Sequence, residues 1–192
     1  MREIPGRLFG FLLAAGLLLL QGLAAAEDKV FSTDQLDQLV APIALHPDSV
    51  VAQILMASTY PLEVVQAQRW LDQNKSLQGE ELDKQGAAEG WDASVVSMLH
   101  FPDVLKMMSD NLDWSQDLGD AVLAQQKDVM DAVQRMRKRA QEAGNLKTTG
   151  QQTVVVEQEV IRIEPATEVV YVPAYNPTVV YGTYPATPYY PW

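Results

Sequence analysis

The sequence predicts an α+β protein that is mainly α-helical. Between residues 31 and 144, apolar side chains recur every three or four positions, the spacing of one helix face. Between residues 154 and 181, short runs rich in valine and tyrosine are separated by prolines, which favours strands. After residue 181 the chain is rich in proline and tyrosine and is expected to be extended. We therefore expect a helical body of five to seven helices, a short β-hairpin-like appendage and an extended Tyr/Pro-rich tail.

The first 26 residues predict a cleavable signal peptide. Arg2 and Arg7 precede an apolar run over residues 8–20, and residues 24–26 are alanines just before Glu27. A basic start, a short apolar run and small residues at the cleavage site are typical of secretory signals. The run is also shorter than the roughly 20 residues that span a bilayer. We expect a periplasmic or secreted protein with no membrane insertion after cleavage, the alternative being an uncleaved anchor.

Charge and composition restrict the partners and the chemistry. The chain has 14 basic and 25 acidic side chains and a net charge of −11. Removing Arg2, Glu3 and Arg7 with the leader leaves 12 basic and 24 acidic side chains, a net charge of −12. An acidic protein repels nucleic acid and anionic lipid, so neither is expected as a partner. The absence of cysteine excludes disulfides and thiolate catalysis, and no cofactor-binding glycine motif is present.

Helix-start signals recur through residues 27–144, the predicted helical domain. Side chains that can cap a helix and prolines suited to a first helical position mark these starts. The predicted starts are Ser32 or Thr33, Pro47, Pro61, Glu81, Asp92, Pro102 and Ser115. Three of the starts repeat one order of an aromatic ring, a proline and then an acid, at residues 46–48, 60–63 and 101–103. This repetition indicates either a duplicated helical hairpin or convergence on one capping solution.

The longest helix is predicted over residues 115–143. Its apolar edge is formed by Leu118, Val122, Gln125, Val129, Ala132, Met136 and Ala140. A cluster of cations over residues 135–139 lies near its end, where positive charge complements the helix dipole, and Gly144 is a natural terminator. The cluster is interpreted as a solvated helix end or as a grip for an anionic glycan or a partner's acids.

The C-terminal region divides into a linker, an appendage and a tail. Residues 145–181 comprise the linker and the β appendage, with β-type runs over residues 154–163, 169–172 and 179–181. Residues 182–192 form the aromatic and proline-rich tail. The appendage either packs on the helical body or contributes to an exposed contact element together with the tail.

Two sequence blocks resemble a known family. The first block covers residues 39–61 and includes Leu-Val-Ala-Pro-Ile-Ala-Leu-His-Pro-Asp, and the second covers residues 170–182 and includes Val-Tyr-Val-Pro-Ala-Tyr-Asn-Pro. Together they resemble the exported bacterial family known as domain of unknown function 3300. The resemblance implies a cell-envelope protein of a Gram-negative-type bacterium with a helical core. It implies no activity, substrate or catalytic residue.

Few residues offer catalytic or metal chemistry. His46 and His100 have similar contexts and could come together with Asp48 and Asp103 as metal ligands, or be ordinary helix-junction residues. Glu63 could act as a general acid on a glycan, but acids in the first helical turn are usually structural. The alternative function is accordingly a carboxylate-dependent hydrolase acting on envelope glycan or peptide.

The tyrosines and tryptophan of the C-terminal region are the predicted binding residues. Such rings bury a large area at low entropic cost and keep a polar tip. The candidates are Tyr171, Tyr175, Tyr181, Tyr184, Tyr189, Tyr190 and Trp192. The predicted function is that of a non-catalytic cell-envelope interaction or scaffold protein that binds a protein partner or a cell-wall polymer.

Overall fold

A computed structural model of the chain describes residues 29–182 and confirms the predicted mainly helical fold with a two-stranded hairpin. The elements are α1 (Thr33–Val40), α2 (Asp48–Ala57), α3 (Pro61–Gln73), α4 (Gly79–Ala88), α5 (Ala93–Met98), α6 (Pro102–Asp110), α7 (Leu112–Glu142), β1 (Gln152–Glu157), β2 (Val160–Pro165) and α8 (Pro177–Val180). The predicted signal peptide and residues 183–192 lie outside the described residues. Within residues 29–182, no helix has the length and apolar character required to cross a bilayer.

The helix starts follow the local sequence signals. Ser32 caps α1 in a capping box, in which its hydroxyl accepts from the Gln35 N–H and the Gln35 side chain accepts from the Ser32 N–H. Pro61 and Pro102 occupy the first positions of α3 and α6. At Asp92 the carboxylate accepts from the Ser94 N–H at 2.8 Å. Local capping therefore explains where these helices begin.

The hairpins α2–α3 and α5–α6 share one backbone geometry. Tyr60 has φ −122° and ψ 56° before α3, and Phe101 has φ −122° and ψ 65° before α6. Asn74 and Asn111 end the two hairpins, and the side chain of each donates to the carbonyl four residues earlier, at 2.8 Å and 2.9 Å. Since α2 packs on α5 and α3 on α6, the repeated sequence signal corresponds to a repeated structural unit.

Helix α7 organises the core. It packs along α1 and also contacts α2, α3 and α6. The indole of Trp114 is fully buried and donates to the Leu39 carbonyl at 2.9 Å, which joins α7 to α1. The helix is kinked at Gln125 (φ −141°, ψ 41°), where the side-chain amide accepts from the Phe31 N–H and donates to the Phe31 carbonyl. The apolar edge predicted for the longest helix is therefore buried, but the helix bends in its middle instead of running straight.

The β-hairpin formed by β1 and β2 lies where a single β-type run was predicted. Residues 154–163 form parts of two antiparallel strands, with Val154 opposite Ile163 and Val156 opposite Ile161. Gln158 and Glu159 both have positive φ (48° and 71°), the conformation that two-residue hairpin turns use. The prediction of a single run was wrong because neither turn residue is a glycine or asparagine, the usual signal for such a turn.

The two later β-type runs are not strands. Residues 169–172 are irregular, and residues 179–181 belong to the helical turn α8 and the residue that follows it. The Asn176 side chain accepts from the Thr178 N–H at 2.9 Å, and Pro177 occupies the first helical position. Asparagine followed by proline favours a helix start over the intrinsic β preference of the valines that follow.

The outer edge of β1 is covered by the preceding linker. The Thr148 hydroxyl accepts from the Val154 N–H at 2.9 Å and donates to the Val154 carbonyl. Thr149 pairs with both backbone groups of Gln152. Because unpaired strand edges invite pairing with other chains, these threonines restrict addition of a further strand here.

Side chains of the helical body cover the outer edge of β2. The Gln134 side chain of α7 accepts from the Ile161 N–H at 2.8 Å and donates to its carbonyl at 3.2 Å. The Asp48 carboxylate, at the start of α2, accepts from the Ile163 N–H at 3.1 Å. The appendage therefore packs on the body. Of the two alternatives for residues up to 181, packing on the body is observed instead of an exposed contact element.

Candidate binding pocket

Three chain segments enclose a pocket of about 420 Å³. Pro42 and His46 come from the connection between α1 and α2, and residues 100–107 come from the junction of α5 and α6. The third wall is the C-terminal segment, which we define as residues 170–177. This volume lies within the roughly 300–1,000 Å³ typical of pockets for small ligands. Most of the lining side chains are apolar, so the pocket is suited to binding a largely apolar group.

Tyr175 and Tyr181 hold the C-terminal segment on the body. The Tyr175 hydroxyl donates to the Ala41 carbonyl at 2.9 Å and accepts from the Leu45 N–H at 3.2 Å. The Tyr181 hydroxyl donates to the same Ala41 carbonyl at 2.5 Å, and the two rings pack edge to face with centroids 6.2 Å apart. Burial raises the pKa of the Tyr175 hydroxyl above its ordinary value. The pocket wall is thus fixed by hydrogen bonds from two neutral phenols.

The predicted binding tyrosines occupy different environments. Tyr175 lines the pocket, and Tyr181 is buried beside it. Tyr171 is exposed and is not part of the lining. The remaining candidates, Tyr184, Tyr189, Tyr190 and Trp192, lie outside the described residues. Among the described candidates, only Tyr175 combines a place in the pocket with a direct structural function.

His46 is the buried polar group of the pocket. Its ring packs edge to face on Tyr175, with centroids 5.7 Å apart. Burial, and then the positive charge of Arg137, lower the pKa of His46 from 6.5 to about 4, so the ring is neutral at pH 7. Its Nδ1 atom is buried and has no hydrogen-bond partner within residues 29–182. Buried polar atoms are normally paired, so Nδ1 is an unsatisfied polar atom within the pocket wall.

The structure brings the residues of the hypothesised metal site only partly together. His46, His100 and Asp103 line the same pocket, as the similar sequence contexts suggested. However, His100 lies 2.5 Å from the Asp83 carboxylate, and Asp48 is paired with Arg137 instead of facing the pocket. The described part of the chain contains no group of three or more histidine, aspartate and glutamate side chains that could hold a metal. These positions therefore do not fit a metal centre.

Arg137 is the main structural residue that the sequence interpretation missed. Its side chain is 2% exposed and donates to the carbonyls of Ala44 (2.8 Å), Ile161 (2.8 Å) and His46 (3.2 Å). It also forms an ion pair of 2.6 Å with Asp48. One guanidinium thus joins α7, β2 and the α1–α2 connection that forms a pocket wall. Its position four residues after the buried Val133 was the available signal.

The interpretation of the cationic cluster as a solvated helix end or an anion-binding site was wrong for Arg137, which is buried. Two of its neighbours are also paired within the protein. Arg135 and Arg139 approach the buried Asp37 carboxylate of α1, with N–O distances of 2.6 Å and 3.8 Å. Lys138 is the exposed member of the cluster. The arginines face inward because α1 lies along this side of α7, which the sequence of α7 alone does not show.

Glu63, the proposed general acid, has a structural role. Its Oε2 atom accepts from the Asp92 N–H at 2.7 Å, which ties the start of α3 to the start of α5. Such a contact satisfies the amide group of the residue that caps α5. The position of Glu63 is explained by helix packing, as expected for an acid in a first helical turn.

The fold and the pocket define a mainly helical protein with a C-terminal hairpin packed on its body and a pocket between the body and the C-terminal segment. The chain belongs to the family described as "Protein of unknown function (DUF3300)", whose model matches residues 32–192. It is 42% identical over 200 residues to "Uncharacterized protein YacH" of Escherichia coli (strain K12). The matched region covers 87% of this chain and 32% of that protein. The chain thus spans about a third of that relative's length. No solved structure matches the chain.

The two sequence blocks that carried the family resemblance meet at the pocket. Pro42 and His46 belong to the first block, and Val170, Val172 and Tyr175 belong to the second. The resemblance to the family is confirmed by the match of its model. The segments that identify the family therefore supply two of the three pocket walls.

The lowered pKa of His46 predicts a pH-dependent stability. Between pH 6.5 and pH 4 the unfolded chain takes up a proton on His46 that the folded chain does not, so stability falls as the pH falls through this window. The loss from pH 7 to pH 4 should be about 3 kcal/mol. Urea unfolding followed by circular dichroism at both pH values should show this loss reduced in His46→Asn and retained in His100→Asn. An equal pH dependence in both variants would contradict the assignment to His46.

Proposed function

We propose that this protein is a non-catalytic interaction module of the cell envelope, which binds a protein partner or a cell-wall polymer. The apolar pocket and the aromatic side chains of the C-terminal region form its contact surface. The observation that carries the proposal is the pocket itself, a preformed and mainly apolar cavity whose wall contains the buried imidazole of His46.

The arrangement of the pocket supports binding. Its walls are held by direct contacts, namely the two phenol hydroxyls on Ala41 and the guanidinium of Arg137 on Ala44 and His46. A preformed site loses little conformational freedom when its ligand docks, which favours affinity. The predicted acid, Glu63, is used to pair a backbone amide, which supports a non-catalytic role.

The predicted leader supports a location in the envelope. Residues 1–26 combine the basic start, the apolar run and the alanines that direct export and cleavage. The acidic mature chain is suited to partners that are neutral or basic at the contact. The aromatic tail residues Tyr184, Tyr189, Tyr190 and Trp192 would add large, rigid contact area.

Site-specific photo-crosslinking in intact cells tests this proposal. A benzophenone side chain is introduced at Ala174, an exposed residue that lines the pocket, or at Met130, an exposed residue of α7. We expect a discrete adduct from Ala174 in the periplasmic fraction and none from Met130. Deleting residues 183–192 should lower the yield at least about tenfold, because aromatic anchors contribute about 2 kcal/mol or more at true hot spots.

Four outcomes would contradict the proposal in whole or in part. Equal adducts from Ala174 and Met130 would indicate non-specific contact, and the absence of any adduct would leave the pocket without a partner. Recovery of the uncleaved chain in the cytoplasm would remove the envelope location. An unchanged yield after deletion of residues 183–192 would move the contact from the tail to the pocket alone.

A further inference from the structure

We infer that the pocket recognises an uncharged, extended peptide segment containing proline and tyrosine, supplied by a protein partner. The inference rests on the proposed binding function and specifies its ligand. It follows from the rigidity of the walls, the polar residues among them and the charge around the entrance.

The walls favour a rigid apolar ligand. Four prolines line the pocket, at positions 42, 102, 173 and 177, and the rings of Phe101 and Tyr175 lie among them. Proline has no backbone N–H, so these positions offer no main-chain donor to a ligand. A sugar would have to give up the hydration of several hydroxyls without replacement, and each unpaired polar group costs about 1–3 kcal/mol. Apolar grooves that contain aromatic rings, as this one contains Phe101 and Tyr175, are instead the usual sites for polyproline-II segments.

The polar residues of the lining select a ligand with one polar tip. His46 is buried and neutral at pH 7, whereas Asp103 is exposed at the lining. A tyrosine side chain combines a large apolar ring with one hydroxyl, which can donate or accept. The Asp103 carboxylate can accept a hydrogen bond from such a hydroxyl. A ligand tyrosine therefore suits both the apolar lining and its exposed acceptor.

The surroundings of the pocket disfavour anionic ligands. Asp103 is an exposed residue of the lining, and Asp83 pairs with His100 beside it. The chain as a whole carries a net charge of −11. Like charge lowers the local concentration of acidic polymers, whereas a neutral peptide is unaffected. Residues 183–192 of this chain, with three prolines, three tyrosines, one tryptophan and no charged side chain, provide a sequence of the required chemistry for a probe.

Calorimetric titration with a synthetic peptide tests the inference. The probe has the sequence of residues 183–192 and is blocked at both ends. The receptor is the full chain with its own residues 183–192 unchanged, since the proposed function assigns them to the same contact surface. We expect saturable binding, weakened at least about tenfold when the three peptide prolines are changed to glycine, because the extended form is then no longer preordered. The uncharged oligosaccharide chitotetraose should not bind.

Receptor variants locate the site. Ala174→Glu places a charged side chain at the pocket lining and should abolish peptide binding, whereas Val179→Glu, at an exposed position of α8 outside the lining, should leave the affinity unchanged. Circular dichroism checks that both variants remain folded. Peptide binding that survives Ala174→Glu would overturn the location, and a receptor that binds neither probe would overturn the inference. Binding of chitotetraose but not of the peptide would overturn the peptide assignment and leave the proposed interaction function standing.

Discussion

Replacing Arg137 with methionine is expected to lower the free energy of unfolding by at least about 3 kcal/mol. Methionine fills much of the volume but donates no hydrogen bonds. The carbonyls of Ala44 and His46 then lose the guanidinium, as does the Asp48 carboxylate. Leaving a buried acceptor unpaired costs about 1–3 kcal/mol for each group. Because His46 lines the pocket and Ala44 belongs to the same connection, we also expect weaker peptide binding.

The neighbouring Lys138 supplies the matched control. It is exposed on the same helix, so Lys138→Met should change the stability by no more than about 0.5 kcal/mol. Arg137→Lys should recover only part of the loss, since one ammonium group cannot reproduce the planar fork of a guanidinium. Urea unfolding at pH 7 measures all three variants. Equal losses in Arg137→Met and Lys138→Met would show that the buried network does not stabilise the fold.

Val129→Asp is expected to lower the free energy of unfolding by at least about 4 kcal/mol, or to abolish cooperative unfolding. Val129 is 1% exposed on the inner face of α7, so the substitution would bury a carboxylate among apolar side chains. Met130, the next residue, is 45% exposed, and Met130→Asp should cost less than about 1 kcal/mol. Tyr190→Ser, in the tail, should leave folding unchanged. Thermal unfolding that gives similar midpoints for Val129→Asp and Met130→Asp would contradict the assignment of this face to the core.

Helix positions could be predicted because their signals are local. The ring and proline before α3 and α6, the capping box at Ser32 and the terminating Gly144 each act within one turn of the chain. The hairpin was only partly predictable, since Gln158 and Glu159 form its turn without the residues that normally favour positive φ. The helical turn at Pro177 also had a local signal, the preceding Asn176, which was outweighed in the prediction by the valines that follow.

The pocket could be predicted only in part. The similar contexts of His46 and His100 suggested that these residues come together, and both line the pocket. The tyrosines were predicted as binding residues, with packing of the chain up to residue 181 on the body as the alternative, and Tyr175 and Tyr181 direct their hydroxyls to the Ala41 carbonyl. An amphipathic ring serves equally well as a surface contact or as an internal anchor. Composition therefore identified the residue type without fixing its direction.

The sequence by itself determined the helical body, the starts of its main helices and the change to short extended segments after Gly144, because capping and periodicity are encoded within a few residues. Only the tertiary structure decided that Arg137 is buried, that Asp48 pairs with it, and that the C-terminal segment closes a pocket. These features depend on contacts between distant parts of the chain, such as the bond between Tyr181 and Ala41 across 140 positions. Local patterns do not show which distant backbone groups will need a hydrogen-bond partner. The packing of α7 against α1, α2 and β2 determines these partners.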